Sequence, residues 1–264
     1  MRWIHCLAVG ALGLALAACT TSPTGRSQLA LMSDDQLDRM GAQAFAEYQQ
    51  ERPTVGGAPY RLARCVTDAI VATLPPGARD GNWQVRVFDD DSANAFALPG
   101  GYVGVHTGLM EIAETPDQLA AVIGHEIGHV LARHANERAS TQTATQLGLS
   151  VVSSAAGLEG PGGEQVMAAL GMGAQYGILL PFSRRHESEA DVLGLRLMAD
   201  AGFDPRASVA LWRNMSRAGG GQPPEWMSTH PSHGSRIAGL EAELPRVLPR
   251  YEQARRAGRT PSCD

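Results

Sequence analysis

A His-Glu-x-x-His pattern lies within an apolar stretch of the chain, with His125, Glu126 and His129 as its polar residues. Residues four apart in an α-helix lie on the same face, so both imidazoles can reach a single metal ion. In zinc helices with this pattern, the glutamate takes a proton from a water at the metal. Two surface histidines near a glutamate are the alternative interpretation. The zinc interpretation constrains the fold, because a third protein ligand must then come from elsewhere in the chain.

The residues around this segment predict a mainly helical α+β fold. Thr115-Pro116-Asp117-Gln118 combines a capping side chain, a proline at the first helical position and a capping-box glutamine. We therefore expect a helix from Thr115 to about Ala139. Residues 83–88 alternate as a half-buried strand does, and residues 94–98 and 102–106 flank a Pro-Gly-Gly turn and predict a hairpin. Because such a small sheet is not stable alone, we expect it to pack beside the metal helix.

A second acidic segment offers the third protein ligand. Glu187 and Asp191 are one turn apart on a predicted helix that begins at Ser183, so they share one face. One carboxylate can bind the metal while the other accepts the free N–H of a ligating histidine and fixes its tautomer. His134 is excluded, because helical geometry turns it away from His125. A run of surface charges on an amphipathic helix is the alternative interpretation of this segment.

The N-terminal residues are typical of an export signal. An apolar run precedes Cys19, and Leu16-Ala17-Ala18-Cys19 resembles the lipobox of bacterial lipoproteins. A plain signal peptide or a membrane anchor is the alternative. The lipobox predicts lipidation of Cys19 and membrane attachment through this lipid anchor. We accordingly expect a location in the cell envelope, at the periplasmic face of the outer membrane.

Cys65 and Cys263 are the two cysteines that remain after processing removes Cys6 and modifies Cys19. Export places them in an oxidising compartment, where two remaining cysteines often pair. A disulfide between them would attach the C-terminal tail to an N-terminal helix. A free, buried Cys65 and an unattached Cys263 are the alternative.

The combination of these motifs resembles the gluzincin metallopeptidases of the HtpX, Oma and CAAX prenyl protease family. The resemblance rests on the two motifs above and on Pro23–Gln28, Asn94–Gly101, and Thr229-His230-Pro231 with Arg236. Within the family, it is closest to bacterial lipoprotein metalloproteases of the LoiP and BepA kind, without a tetratricopeptide domain. It implies a zincin-type metallopeptidase domain, which we place at residues 33–257. A signal peptide at 1–18, a lipidated tether at 19–32 and a tail at 258–264 complete the predicted organisation.

The resemblance also implies a role for each residue of the metal site. One Zn²⁺ per chain is expected, bound by His125, His129 and Glu187. Glu126 is implied as the general base. Asp191 is implied as the carboxylate that orients a ligand histidine.

Two further polar residues and one strand are implied to act on the substrate. His230 is expected as a regulatory fourth ligand or as a group that stabilises the oxyanion, and a capping role in a turn is the alternative. Arg236 is a second candidate for the oxyanion, or for a salt bridge that holds the site. An extended substrate can pair through backbone hydrogen bonds with a strand at the cleft edge. The residues of this predicted substrate-binding strand are Asn94, Ala95, Phe96, Ala97 and Leu98.

The motifs predict a zinc-dependent endopeptidase. The resemblance implies that it hydrolyses peptide bonds in unfolded or misassembled exported and outer-membrane proteins, as part of protein quality control. Such proteins are the expected partners, together with the outer-membrane assembly machinery. A formal charge of −5 without a Lys/Arg cluster argues against a nucleic-acid partner. The alternative is a zinc-containing assembly or chaperone-like factor with a latent protease site, because His230 could occupy the open position of the metal.

Overall fold

The computed structural model describes residues 19–158, 161–174, 180–218, 230 and 236–263. The predicted signal peptide at residues 1–18 lies outside the described residues. The strands are β1 (Cys19–Thr21), β2 (Ser27–Leu29), β3 (Thr54–Val55), β4 (Gln84–Phe88), β5 (Ala95–Leu98) and β6 (Tyr102–His106). The helices are α1 (Asp34–Glu51), α2 (Gly57–Val71), α3 (Pro76–Arg79), α4 (Thr107–Ile112), α5 (Pro116–Leu131), α6 (His134–Ala156), α7 (Pro161–Ala174), α8 (Leu180–Ala201), α9 (Ala207–Ala218) and α10 (Arg236–Arg256).

The chain divides into two compact units. The smaller unit consists of Met1–Ser33 and Arg133–Ser183, and the larger unit consists of Asp34–Ala132 and Arg184–Asp264. The predicted metallopeptidase domain therefore contains all of the larger unit except its C-terminal end, together with most of the smaller one.

A four-stranded sheet in the order β3-β4-β6-β5 forms one layer of the larger unit. Strands β4 and β6 are parallel, whereas β5 pairs antiparallel with β6 from Ala95 opposite Val105 to Leu98 opposite Tyr102. The β5–β6 pair is the predicted hairpin. Because β5 is an outer strand of the sheet, only one of its two edges is paired with β6.

Helix α5 lies at the centre of the larger unit and packs against α2, α9 and β5. Its apolar side chains Leu119, Ile123 and Ile127 are fully or almost fully buried in the core. The burial of this apolar face fixes the orientation of the helix, and hence of its polar motif. The predicted fold class, mainly helical α+β with a small sheet beside the His-Glu-x-x-His helix, is confirmed.

Helices α5 and α8 approach each other closely where two glycines face each other. A Cβ atom added at Gly194 would lie 2.8 Å from the backbone nitrogen of His125 and 2.9 Å from its Cα. A Cβ atom added at Gly124 would lie 3.0 Å from the carbonyl oxygen of Gly194. The absence of side chains at these positions lets the two backbones meet beside the first histidine of the motif.

The end of α5 differs from the sequence prediction. The helix was expected to continue to about Ala139, but it ends at Leu131 and a new helix, α6, begins at His134. Arg133 between them has a φ of 55°, the left-handed conformation that terminates a right-handed helix. No glycine or proline marks this position, so the sequence lacks the usual signal for a helix end.

In the smaller unit, the segment predicted as a tether forms an ordered hairpin, with β1 and β2 antiparallel. Its turn is bound to α6, because Arg26 Nη1 and Nη2 each lie 2.6 Å from a carboxylate oxygen of the buried Glu137. The Asn136 side chain accepts a hydrogen bond from the Met32 N–H at 3.2 Å and donates one to the Met32 carbonyl at 2.8 Å.

Among the helices within the described ranges, none combines the length and apolarity that a membrane span requires.

A disulfide joins Cys65 of α2 to Cys263, with their Cα atoms 5.6 Å apart. Cys263 is buried, so the end of the predicted tail is held against the larger unit. The pairing agrees with the oxidised alternative for these cysteines.

Candidate metal centre

Helix α5 presents the motif on its buried side. The Thr115 hydroxyl accepts a hydrogen bond from the Gln118 N–H at 3.2 Å, so the predicted cap is formed. His125 and Glu126 are 2 % and 3 % exposed, respectively. The Nε2 atoms of His125 and His129 lie 3.0 Å apart. The helix thus directs one nitrogen of each imidazole to a common point, as the spacing predicts.

Helix α8 supplies two carboxylates to the same place. Glu187 Oε2 lies 3.3 Å from His125 Nε2, and Oε1 lies 3.5 Å from His129 Nε2. Asp191 Oδ1 lies 3.0 Å from the other ring nitrogen of His125, Nδ1. Because a ligating histidine commonly donates its second N–H to a carboxylate, this arrangement favours Glu187 as the ligand and Asp191 as the orienting group.

His230 completes a ring of side chains around the convergence point. Its Nδ1 atom lies 3.2 Å from Glu187 Oε2 and 3.5 Å from His125 Nε2. Its Nε2 atom lies 3.5 Å from Glu126 Oε1. His230 therefore bridges the carboxylate that faces the histidines and the carboxylate predicted as the base. This geometry favours the fourth-ligand interpretation over a capping role.

Arg236, the first residue of α10, is buried against Glu187 and Asp191 of α8. Its Nη1 atom lies 3.4 Å from Glu187 Oε2, and its Nη2 atom lies 2.5 Å from Asp191 Oδ1. The guanidinium carbon lies 4.1 Å from the centroid of the Trp212 ring on α9. Of the two alternatives for Arg236, these contacts favour the salt bridge.

The charges around the centre favour an anionic Glu187. Burial raises its pKa, but hydrogen bonds with His125 and His230 hold that pKa well below its usual range. Burial and the Arg236 charge lower the pKa of His125, whereas hydrogen bonds with Asp191 and Glu187 outweigh them and raise it to about 9. The carboxylates of Glu187 and Asp191 thus favour positive charge beside His125, and a bound cation would supply such a charge.

The residues present fit a zinc ion. His125, His129, Glu187 and His230 each offer one ligand atom, and these atoms all lie within 4.8 Å of one another. Glu187 Oε1 is buried and has no hydrogen-bond partner among the described residues. A buried acceptor of this kind is costly unless an ion or another donor satisfies it. Imidazole nitrogens with one carboxylate oxygen are typical ligands of catalytic zinc.

The predicted substrate strand corresponds to β5, which packs against the motif helix α5. Asn94 immediately precedes β5; its side-chain oxygen accepts the Ala95 N–H at 2.9 Å and its carbonyl accepts the His106 N–H at 3.0 Å. Phe96 lies over Gly104 on β6, where an added Cβ would clash with the phenyl ring of Phe96. The strand is therefore held on one side and has an outer edge on the other.

The structure brings together seven predicted site residues: six on α5, α8 and α10, and their neighbour His230. Cys19 belongs to the other unit. Two groups were missed. The first is Trp212, which has no sequence signal for its contact with Arg236. The second is a buried His106, bonded to the Tyr48 hydroxyl at 2.6 Å and to the Ser92 hydroxyl at 2.8 Å. The histidine at the end of an otherwise apolar strand was the only available signal for this network.

The fold and the site together define a zincin-type metallopeptidase class, and comparison with known proteins makes this more specific. The sequence pattern of Peptidase family M48 matches residues 60–244. The chain belongs to this family. The predicted resemblance to Oma-type and BepA-type gluzincins is confirmed, and the family and its relatives support the predicted enzyme class, a metalloendopeptidase.

The relatives cover most of this chain but are themselves longer. Mitochondrial metalloendopeptidase OMA1 of Schizosaccharomyces pombe is 38% identical over 178 residues, which are 67% of this chain and 51% of that protein. The bovine OMA1 is 34% identical over 85% of this chain and 46% of its own length. The beta-barrel assembly-enhancing protease of Yersinia pestis is 33% identical over 57% of this chain and 32% of that protein. The chain thus spans about half or less of the length of these relatives.

The predicted location is wrong. A position in the cell envelope, at the periplasmic face of the outer membrane, was expected from the lipobox-like segment. The OMA1 relatives, at 34–38% identity, are instead mitochondrial proteins. A short apolar run before a cysteine carries little information compared with similarity over most of the chain, which explains the error.

Proposed function

We propose that this chain is a zinc-dependent endopeptidase that hydrolyses peptide bonds in unfolded or misassembled proteins. The observation that carries the proposal is the convergence of His125, His129 and Glu187 on one point, with Glu126 buried beside it. These three residues would hold a zinc ion, which would supply Lewis acidity toward a peptide carbonyl and a water molecule. The bacterial and mitochondrial relatives named above are themselves endopeptidases or proteases.

Each remaining residue of the site has a task in this proposal. Glu126 takes the proton of the attacking water and delivers it to the leaving amine, as a general base and then a general acid. Asp191 accepts the Nδ1–H of His125, so that its Nε2 atom is available as a ligand. Arg236 holds Asp191 through its Nη2 atom.

The proposed substrate class follows from β5. An extended peptide can add to the outer edge of this strand through backbone hydrogen bonds, a mode of recognition that depends little on side chains. Folded proteins rarely offer such an extended segment, whereas unfolded or misassembled proteins do. The packing of β5 on α5 would place the bound peptide beside the motif helix.

The test compares Glu126→Gln with the wild type on a chemically unfolded protein substrate, with zinc content measured in both. The substitution should leave zinc bound and lower the cleavage rate by at least about 100-fold, the usual contribution of a general base. Glu111→Gln, at an exposed position on α4, is the matched control and should cleave normally. Undiminished cleavage by Glu126→Gln would contradict the mechanism, and loss of zinc would assign Glu126 to the ligand set instead.

A second candidate is an assembly or chaperone-like factor whose protease site is latent. The contacts of His230 with Glu126 and Glu187 favour this candidate, since a histidine in that position can occupy the open coordination site. If the wild type is inert and His230→Ala cleaves the unfolded substrate, the site is a self-blocked protease. If neither protein cleaves and Glu126→Gln still complements in cells, binding is the function.

Membrane attachment through a lipidated Cys19 is a separate proposal. The β1–β2 hairpin that begins at Cys19 is bound to α6, and this supports an anchor that is short and ordered. Exposed apolar side chains in the same unit are compatible with a lipid surface; they include Leu147, Val151, Val166 and Met172. The intact mass of the mature protein tests the proposal, because acyl chains add a defined mass that Cys19→Ser removes. An unmodified mass would contradict it.

A further inference from the structure

We propose that Trp212 is a positioning residue of the metal centre, because its ring supports the guanidinium of Arg236, which in turn fixes Asp191 and the orientation of His125. The importance of Trp212 for catalysis rests on the proposed endopeptidase function. The contacts that carry it lie within the larger unit and do not depend on that function.

The Trp212 ring contacts the guanidinium of Arg236. The Arg236 guanidinium carbon lies 4.1 Å from the Trp212 ring centroid, and the two residues are 8 % and 4 % exposed, respectively. A flat guanidinium packs face to face on an indole, and the attraction is strongest where water is excluded. The stack therefore selects one orientation of the guanidinium plane and defines where its N–H groups can point.

Asp191 connects Arg236 to His125. The Nη2 atom of Arg236 lies 2.5 Å from Asp191 Oδ1, and the same Oδ1 atom lies 3.0 Å from His125 Nδ1. One carboxylate oxygen is thus shared between the guanidinium and the imidazole. A change in the plane of Arg236 would move Asp191, and the tautomer and ring angle of His125 would no longer be fixed.

A positioning role for Trp212 differs from simple packing in its effect on metal binding. Trp212 is also part of the hydrophobic core, so its removal would destabilise the larger unit in any case. A residue that only fills space would weaken folding without a specific effect on the metal. A positioning residue would weaken metal binding only as long as Arg236 is present to transmit its effect. The coupling between the two side chains is therefore the decisive quantity.

The experiment measures the zinc dissociation constant of the purified full chain by competition with a chelator. Trp212→Leu should raise this constant by about 3- to 30-fold, the range expected for a desolvated cation–π contact. Trp212→Phe keeps an aromatic face and should remain within about threefold of the wild type. In an Arg236→Lys background, which lacks the flat guanidinium, Trp212→Leu should add less than about a twofold change.

Met215→Ala is the matched control, because Met215 is fully buried on the same helix, α9. It should lower thermal stability and leave the zinc dissociation constant unchanged. The proposal is overturned if Trp212→Leu leaves zinc binding unchanged, if its effect is the same in the Arg236→Lys background, or if Met215→Ala weakens zinc binding equally.

Failure of the proposed endopeptidase function can be distinguished from failure of the Trp212 proposal. A wild type that binds zinc without cleaving peptides contradicts the endopeptidase, while the affinities above still test Trp212. A wild type that binds no zinc also contradicts the endopeptidase. In that case, the unfolding equilibrium of the metal-free protein is measured for the wild type, Trp212→Leu, Arg236→Lys and the double variant. The coupling factor is the ratio of the effects of Trp212→Leu on the unfolding equilibrium constant with and without Arg236→Lys. A factor near one would contradict the proposed Trp212–Arg236 interaction, and a factor of about three or more would support it.

Discussion

Gly194→Ala is the smallest substitution that we expect to disturb the metal centre. The added Cβ would lie 2.8 Å from the backbone nitrogen of His125, which cannot rotate away as a flexible side chain could. Because nonbonded heavy atoms pack at about 3.5–4.0 Å, α5 and α8 must separate by roughly 0.7 Å. Overpacking of this kind costs about 1–3 kcal/mol, and the higher helix propensity of alanine offsets about 1 kcal/mol. The net destabilisation is therefore about 0–2 kcal/mol.

The same displacement should weaken metal binding, because Glu187 and Asp191 lie on the helix that must move. Changes in the groups that support a metal ligand typically weaken affinity by about 10- to 100-fold, and we expect the lower end here. Gly239→Ala is the control: it also lies in a helix, but an added Cβ there would have no neighbour within 4 Å. It should raise the melting temperature by about 2–4 °C, from the gain in helix propensity alone. If Gly194→Ala raises the melting temperature equally and keeps its zinc affinity, the close approach of α5 and α8 does not constrain the site.

Two further predictions concern stability. Burial raises the pKa of Asp90, but hydrogen bonds with Ser92 and Arg52 outweigh burial and lower the pKa to about 2. The ionised Asp90 side chain therefore stabilises the fold above about pH 4, and this stabilisation is lost as the pH falls through 2. Asp90→Asn should therefore lower the free energy of unfolding by up to about 2 kcal/mol at pH 6 and have little effect near pH 2, as measured by denaturant titration. An effect that does not change with pH would argue against stabilisation by the hydrogen bonds of ionised Asp90. Replacing both Cys65 and Cys263 by serine should lower the free energy of unfolding by about 2–4 kcal/mol, and reductant should destabilise the wild type similarly. Equal stability of the variant and the oxidised wild type would show that the cysteines are not bonded in solution.

Much of the site could be predicted because its residues follow local rules. The spacing of His125 and His129 and that of Glu187 and Asp191 places each pair on one helical face, whatever the rest of the fold. The cap at Thr115 predicted the start of α5, and the Pro-Gly-Gly turn predicted the β5–β6 pair. Local periodicity and capping depend on neighbours in the chain, so the sequence displays them directly.

The features that were missed depend on contacts between distant segments or on an unusual backbone. Trp212 and Arg236 meet only because α9 and α10 pack together, and nothing in either segment predicts that contact. Arg133 ends α5 in a left-handed conformation that a glycine or asparagine would normally adopt. The location was misjudged for a different reason, since an address segment is recognised by cellular receptors and its composition does not reflect the stability of the fold.

The charge balance of the centre explains how these features act together. Glu126, Glu187 and Asp191 bring three carboxylates into a site in which Arg236 is the arginine that contacts two of them. Buried carboxylates are costly unless positive charge or hydrogen bonds compensate them, and a divalent cation would balance the excess left by one guanidinium. Arg236 balances the charge of Asp191, whose Oδ1 atom also contacts His125 Nδ1. Glu187 faces the Nε2 atoms of His125 and His129. His230 can then complete the set as a neutral ligand without disturbing this balance, whereas a fourth carboxylate could not.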